Sequence, residues 1–367
     1  MANKQKQYRY EPDYTLPPGE TLLEVLETKG MSQTELALRT GRTLKTINEI
    51  IKGKAAITAE TSLQLERVLG VPSSFWNNLE RNYRADLAAI EERNRLEANV
   101  EWVRQFPVRA LVKMGAIRDA RDPAAQVIEI LSFFGVASPE AWHETWSDAE
   151  VVYRRSPAFK SSPGAVSAWL RLGENRAQAV SCAPYNRERF RSALATARAL
   201  TLEPPEVIQS ELTRVCAEAG VAVVFVPELP KTHLSGATRW LSPVKALIQL
   251  SLRHKSDDHL WFCFFHEAGH ILLHGKKDMF LEGDGDQGEK ERQANEFAAD
   301  FLIPPSSYRT FATNRLISKA AIERFAESIG IAAGIVVGRL QHDGLLPPSH
   351  CNDLKQRYAW AQEKIAV

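Results

Sequence analysis

Residues 261 to 273 read Trp-Phe-Cys-Phe-Phe-His-Glu-Ala-Gly-His-Ile-Leu-Leu, a stretch too apolar for a surface yet interrupted by two histidines and a glutamate. This composition predicts a buried helix. Polar side chains inside such a helix need partners, and a metal ion supplies them. Residues four apart share one helix face, so His266 and His270 can grip a single ion while Glu267 lies beside it. With zinc bound, Glu267 is the candidate general base toward a water whose pKa the ion lowers. A bare HExxH string also arises by chance in helices, so the surrounding residues decide.

A zinc site of this type takes a third protein ligand from further along the chain and keeps its fourth position open. The segment 289–303, Glu-Lys-Glu-Arg-Gln-Ala-Asn-Glu-Phe-Ala-Ala-Asp-Phe-Leu-Ile, has apolar residues Ala294, Phe297, Ala298 and Phe301 at helical spacing, and Pro304-Pro305 stops it. Glu291 is the first candidate ligand, because Asn295 at i+4 can hydrogen-bond a ligating histidine from behind. Glu296 and Glu289 stand as alternatives. His274 continues the i+4 series but drifts past the ion, so it reads as a cap of the helix end before Gly275. Between the two helices, residues 275–288 are polar and glycine-rich and read as a loop. Its Asp284-Gly285-Asp286 run lacks a full calcium-loop pattern.

HEAGH followed by ERQANEFAADFLIP, and preceded by the strand-like segments 235–240 and 246–251, resembles the ImmA/IrrE family of zinc metallopeptidases. The resemblance implies an intracellular zincin-like protease that cuts a partner repressor or regulator. It implies Zn2+ on His266, His270 and Glu291, with Glu267 as base. Where family members often carry an acidic residue just before the Ala-Asn pair, this chain has Gln293. Gly236, Ala237 and Thr238 are expected, by the resemblance and by their small side chains, to form a sheet edge to which an extended peptide adds as a strand. Tyr308, His254 and His233 are candidates to assist the oxyanion.

A second pattern occupies the first fifth of the chain. Ser32 can cap a helix in which Leu36 and Ala37 face inward, Thr40-Gly41-Arg42 makes a tight turn, and a second helix from Thr43 carries the stripe Ile47, Ile50, Ile51 before Gly53. Two short helices about such a turn describe a helix-turn-helix, whose second member enters the DNA major groove. Between Arg39 and Lys54 stand five basic residues (Arg39, Arg42, Lys45, Lys52, Lys54) and the single acid Glu49, against a whole-chain net charge of +1. That stripe can meet phosphates while the rest of the protein does not. Residues 18 to 79 resemble the Cro/repressor type, closest to HigA-type antitoxins, which implies five helices and a homodimer on a palindromic double-stranded operator. Gln33, Arg42, Thr43, Lys45, Thr46 and Glu49 are the candidate DNA-contacting residues, with Lys45 suited to guanine and Gln33 and Thr43 to phosphates.

A chain of 367 residues exceeds one ordinary core. The expectation is a multidomain, mainly α protein: a five-helix lambda-repressor-like domain over 1–85, a helical middle region over 86–190, and a small mixed α+β peptidase domain over 191–367. The middle region offers no chemistry; an interdomain or dimerisation element is its default reading, and a sensor for an activating signal the more speculative one. Four scattered cysteines without a CxxC indicate neither a disulfide framework nor a cysteine zinc site, and Cys263 reads as a small buried hydrophobe. Polar residues 1–10 and the lack of a membrane-length apolar run make the cytoplasm the expected location, with no membrane partner. The leading expectation is a DNA-binding regulator fused to a zinc endopeptidase that cleaves a repressor, regulator or toxin, with stress response as one setting. The rival is a HigA-like antitoxin or autorepressor whose peptidase fold only senses a partner.

Overall fold

Ser32, Thr43 and Thr58 decide where three of the first helices begin, each accepting a backbone N–H from the residue three further on. In a computed structural model, which describes residues 14–154, 162–276, 279–283, 288–313 and 317–360, the chain falls into two compact units, residues 1–100 and 101–367. The first contains α1 (Pro18–Thr28), α2 (Gln33–Thr40), α3 (Leu44–Ile51), α4 (Ala59–Leu69) and α5 (Ser73–Ala98). Gly41 ends α2 in the left-handed region at φ 67°, which turns the chain directly into α3. Leu22, Leu36, Ile47, Ile50, Leu65 and Trp76 close a small core. Helix α5 continues without a break past residue 85 to Ala98.

Helix α6 (Val100–Val103) spans the boundary, and the second unit continues with α7 (Val108–Lys113), α8 (Pro123–Phe134), α9 (Pro139–Arg154) and α10 (Pro163–Ala179). Then come α11 (Arg187–Ala199) and α12 (Pro205–Ala217), the strands β1 (Val221–Phe225), β2 (Leu234–Ser242) and β3 (Lys245–Leu250), and α13 (Asp257–Leu273). The strand β4 (Phe280–Gly283) precedes α14 (Glu289–Leu302), α15 (Pro305–Ala312), α16 (Lys319–Ile329) and α17 (Ala333–His342). The sheet runs β1-β3-β2-β4, with β1 parallel to β3 and β2 antiparallel to both of its neighbours. Val221, Val223, Ile248 and Leu250 join the core that surrounds α13.

The opposite face of the sheet is covered by the middle region. Trp169 of α10, fully buried, donates its indole N–H to Val226 O (3.2 Å) and accepts at its backbone carbonyl from the buried Gln249 of β3 (2.7 Å). Gly173 of α10 has no Cβ where the Gln249 amide lies, which permits this close approach. Arg239 of β2 pairs with Glu174, which also binds Arg171 (2.8 Å), and Arg171 Nε donates to Phe133 O (2.9 Å). The helical middle region thus builds a second layer on the sheet.

The expectation that Gly236, Ala237 and Thr238 form a sheet edge is corrected by the register. Gly236 pairs with Leu250 on one side and Glu282 on the other, Ala237 with Gln249 and Leu281, and Thr238 with Ile248 and Phe280. The segment expected to be all loop supplies the extra strand, because Phe280 and Leu281 are buried, at 8% and 4% exposure, in otherwise polar surroundings. The Asp284 to Asp286 run lies outside the described residues. No helix among the described residues is long and apolar enough to cross a membrane.

Candidate metal centre and nucleic-acid interface

Helices α13 and α14 meet along a seam of small residues. A Cβ on Gly269 would stand 3.1 Å from the Phe297 ring and 3.3 Å from the Ala294 Cα, and Ala294 and Ala298 are fully buried opposite it. The glycine inside HEAGH therefore lets α14 come close enough for Glu291 to reach the histidines. His266 Nε2 and His270 Nε2 are 3.0 Å apart, and Glu291 offers its oxygens at 3.0 Å to His266 and 3.3 Å to His270. Among the described residues these three alone form a group with metal-ligating geometry. Glu289 and Glu296, the alternatives, lie exposed and pair with Arg292 instead.

The donor set fits a zinc ion. Tetrahedral Zn–N and Zn–O legs of ~2.05 Å separate neighbouring ligand atoms by ~3.3 Å, close to the spacings found. His266 Nδ1 lies 2.9 Å from Asn295 Oδ1, so its ring proton belongs there and Nε2 presents a lone pair to the centre. Burial holds the His270 imidazole down to about 4, against the pull of Glu291 and with His266 adding to the depression. Burial pushes Glu291 upward, but the His266 and His270 imidazoles beside it outweigh burial and bring the carboxyl to about 2. Two imidazoles and a carboxylate converging in a buried site call for a cation.

Glu267, 0% exposed, follows His266 on the same helix. Two residues of β2 hold it. Thr238 Oγ1 donates to the Glu267 carbonyl (3.2 Å), and a Cβ on Gly236 would lie 2.5 Å from Glu267 Oε1 and 2.6 Å from Cys263 Sγ. The space expected to admit a substrate backbone is filled by the Glu267 side chain. A glycine inside a strand signals close approach, but which group approaches is not written in the spacing.

His274 occupies the C-cap position of α13, as its reading as a helix cap has it, and its ring makes two further contacts: Nδ1 faces His270 Nδ1 at 2.9 Å and Nε2 faces Gln293 Oε1 at 3.2 Å. Of the oxyanion candidates, Tyr308 gives its hydroxyl to Asp343 (2.6 Å) and stacks under Arg339, while His254 stacks on His259. Those contacts commit both side chains elsewhere. His233 lies at a φ of 50°, and its carbonyl accepts from Arg253 (2.8 Å).

In the N-terminal unit, Thr43 caps α3 and its hydroxyl meets that of Thr46 at 2.9 Å. Arg42 turns toward α4, where Nε donates to Gln64 (2.8 Å) and Nη2 pairs with Glu60 (3.0 Å). Arg39 pairs with Glu35 (2.6 Å). The basic stripe is thus partly balanced by acids from outside the 39–54 window. Lys45 projects into solvent, its side chain 83% exposed and 3.9 Å from Glu49, and Gln33 and Glu49 are half-buried.

Residues 10–76 match the family described as helix-turn-helix, and residues 216–340 match the peptidase family described as the IrrE N-terminal-like domain. Among solved structures, the Pseudomonas aeruginosa antitoxin HigA with the higBA promoter is 27% identical over 23% of this chain and 94% of its own, with a TM-score of 0.22. An addiction module antidote protein of the HigA family from Coxiella burnetii is 30% identical over 23% of this chain and 95% of its own, with a TM-score of 0.21. No curated protein matches the chain. Residues 10–76 are a helix-turn-helix domain and residues 216–340 an IrrE N-terminal-like domain, and this protein joins the two in one chain.

Proposed function

We propose that the chain is a cytoplasmic transcriptional regulator that binds a double-stranded operator as a homodimer and carries a zinc endopeptidase that cleaves a regulatory partner protein. One observation carries the reading: three buried ligand side chains converge beside a buried glutamate in a chain that also bears a helix-turn-helix. His266, His270 and Glu291 hold the ion. When bound, zinc supplies Lewis-acid polarisation of water and of the scissile carbonyl. Glu267 takes a proton from the attacking water and delivers it to the leaving amine nitrogen. Gly236 leaves room for that carboxylate, and Thr238 ties its backbone to β2. The outer side of β4, the last strand in the sheet, is where an extended peptide can add, and Phe280 of that strand stacks on His270 with centroids 3.9 Å apart. In the N-terminal unit Lys45 reaches base edges, while Gln33, Thr46 and Glu49 adjust register around it.

The test joins metal analysis of the purified chain to a proteome comparison of cells expressing the wild type or Glu267→Gln. A protein depleted by the wild type and spared by the variant is the expected outcome. A zinc-free wild type, or identical proteomes, sinks the peptidase reading and leaves the non-catalytic sensor.

A further inference from the structure

A line of hydrogen-bonding groups leads from the metal centre to the surface of α14. His270 Nδ1 lies 2.9 Å from His274 Nδ1, His274 Nε2 lies 3.2 Å from Gln293 Oε1, and Gln293 Nε2 donates to Glu289 Oε1 at 2.9 Å. Glu289 in turn pairs with Arg292 (2.7 Å). With one proton on each imidazole, the contacts along this line fit a single arrangement of donors and acceptors. The Gln293 amide gives its N–H to the Glu289 carboxylate, so its oxygen faces His274 and must accept. His274 therefore carries its proton on Nε2 and presents a lone pair at Nδ1. His270 must then carry its proton on Nδ1, which leaves Nε2 bare and aimed at His266 Nε2 and Glu291. Phe280 stacks flat on His270, 14° from parallel, and lies 5.2 Å from His274, so the same strand covers both rings.

We propose that His274 is a positioning residue of the metal centre, which holds His270 in the tautomer that offers Nε2 to zinc, and that Gln293 orients His274 for this task. The proposal rests on the reading of His266, His270 and Glu291 as zinc ligands. It gives the residue at position 293 a purpose of its own: a neutral amide can accept from His274 and donate to Glu289 at once, whereas an ionised carboxylate can only accept. It also pairs the two ligating imidazoles, since Asn295 accepts from His266 Nδ1 as His274 accepts from His270 Nδ1.

The experiment uses the full chain in two forms, zinc-loaded and metal-free. His274→Phe keeps a ring in place but removes the acceptor, and His274→Asn restores an acceptor near the former Nδ1. Zinc affinity, measured by competition with a chromophoric chelator, is expected to fall about 10- to 100-fold in His274→Phe, the range of such outer partners. It is expected to return to within about threefold of the wild type in His274→Asn, with Gln293→Leu between the two. In parallel, 15N chemical shifts of the metal-free chain report the His270 tautomer directly. A proton on Nδ1 in the wild type and its loss from Nδ1 in His274→Phe are expected. Wild-type zinc affinity in His274→Phe, or no recovery in His274→Asn, overturns the proposal. If the wild type binds no zinc, the ligand reading fails on its own; the metal-free tautomer still decides the relay, and a proton on His270 Nε2 overturns it.

Discussion

The two units of this chain spend their polar residues in opposite ways. In the helix-turn-helix unit the candidate contacts stand at the surface, with Lys45 mostly in water, and several of them cap helices or pair with neighbouring acids. In the sheet-containing unit the candidate chemistry is inside: His266 and His270 are 2% exposed and Glu267 0%. Surface groups share a task and can replace one another, because water and salt screen each of them. Buried groups cannot, since each lost partner leaves another desolvated. Substitutions in the second unit should therefore act as switches, and those in the first as small adjustments.

The largest expected effect is that of Glu267→Gln. The amide fits the pocket left by Gly236 but cannot take a proton, so peptide hydrolysis should drop by about 10²- to 10⁴-fold, with zinc content and operator affinity unchanged. Metal analysis, a cleavage assay and a DNA-binding titration on one preparation check all three. Loss of operator binding in this variant would break the contrast, because the buried site would then control the surface one.

A second expectation concerns the charge buried at the start of α13. Asp257 is 1% exposed, and burial raises its carboxyl to about 6, against hydrogen bonds from backbone groups that pull it down. A raised carboxyl favours the protonated fold: the penalty is absent below the unfolded value near 3.8, grows as pH rises toward 6, and is complete above it. Asp257→Asn should thus stabilise the chain at pH 7 by up to about 3 kcal/mol and change little near pH 4. Its neighbour Asp258 is also desolvated, but Lys355 at 2.6 Å compensates and its carboxyl falls below the usual value. Urea midpoints at the two pH values test the difference, and an equal shift at both would refute it.

Gly236→Ala should act more selectively. The added methyl would meet the Glu267 carboxylate and the Cys263 sulfur, and the carboxylate, at the end of a flexible side chain, is the group that moves. Hydrolysis is expected to fall roughly 10- to 100-fold, the range for misplacing a catalytic group by about an ångström, with zinc retained. A variant that loses zinc instead would indicate that the packing of α13 on β2, and not the carboxylate, depends on this glycine.

These differences mirror what the sequence allowed to be read. The HEAGH spacing, the apolar residues around it and the Glu291–Asn295 pair were legible because helical periodicity places residues within one or two elements. The Ser32 cap and the turn at Gly41 were legible for the same local reason, whereas Thr43, read as the first residue of a helix, is its cap. What escaped depends on long-range pairing: β4 is four residues of strand in a glycine-rich stretch, and its partner β2 lies some forty residues earlier. Without β4, Gly236 to Thr238 looked like an edge. The second layer was equally hidden, because Trp169 and Glu174 reveal their role only against Gln249 and Arg239. His274 followed the i+4 series that marks the ligands, yet its partner Gln293 belongs to another helix.

The smallest effects belong to the surface unit, where two substitutions two residues apart should separate reading from folding. Lys45→Ala removes an exposed ammonium that stands 3.9 Å from Glu49. It should weaken operator binding by about 1–3 kcal/mol if Lys45 contacts a guanine and flatten the preference at that base pair. A phosphate contact would instead lower affinity evenly across sequences and reduce the salt slope by about one. Thr43→Ala removes the α3 cap and should cost about 1 kcal/mol of domain stability, leaving base preference intact. Binding measured across operator variants at two salt concentrations, beside thermal melts, distinguishes these outcomes. A Thr43→Ala variant that melts normally but loses base preference would mean that the threonine reads DNA and that the cap is incidental, which would narrow the contrast between an adjustable surface and an all-or-none interior.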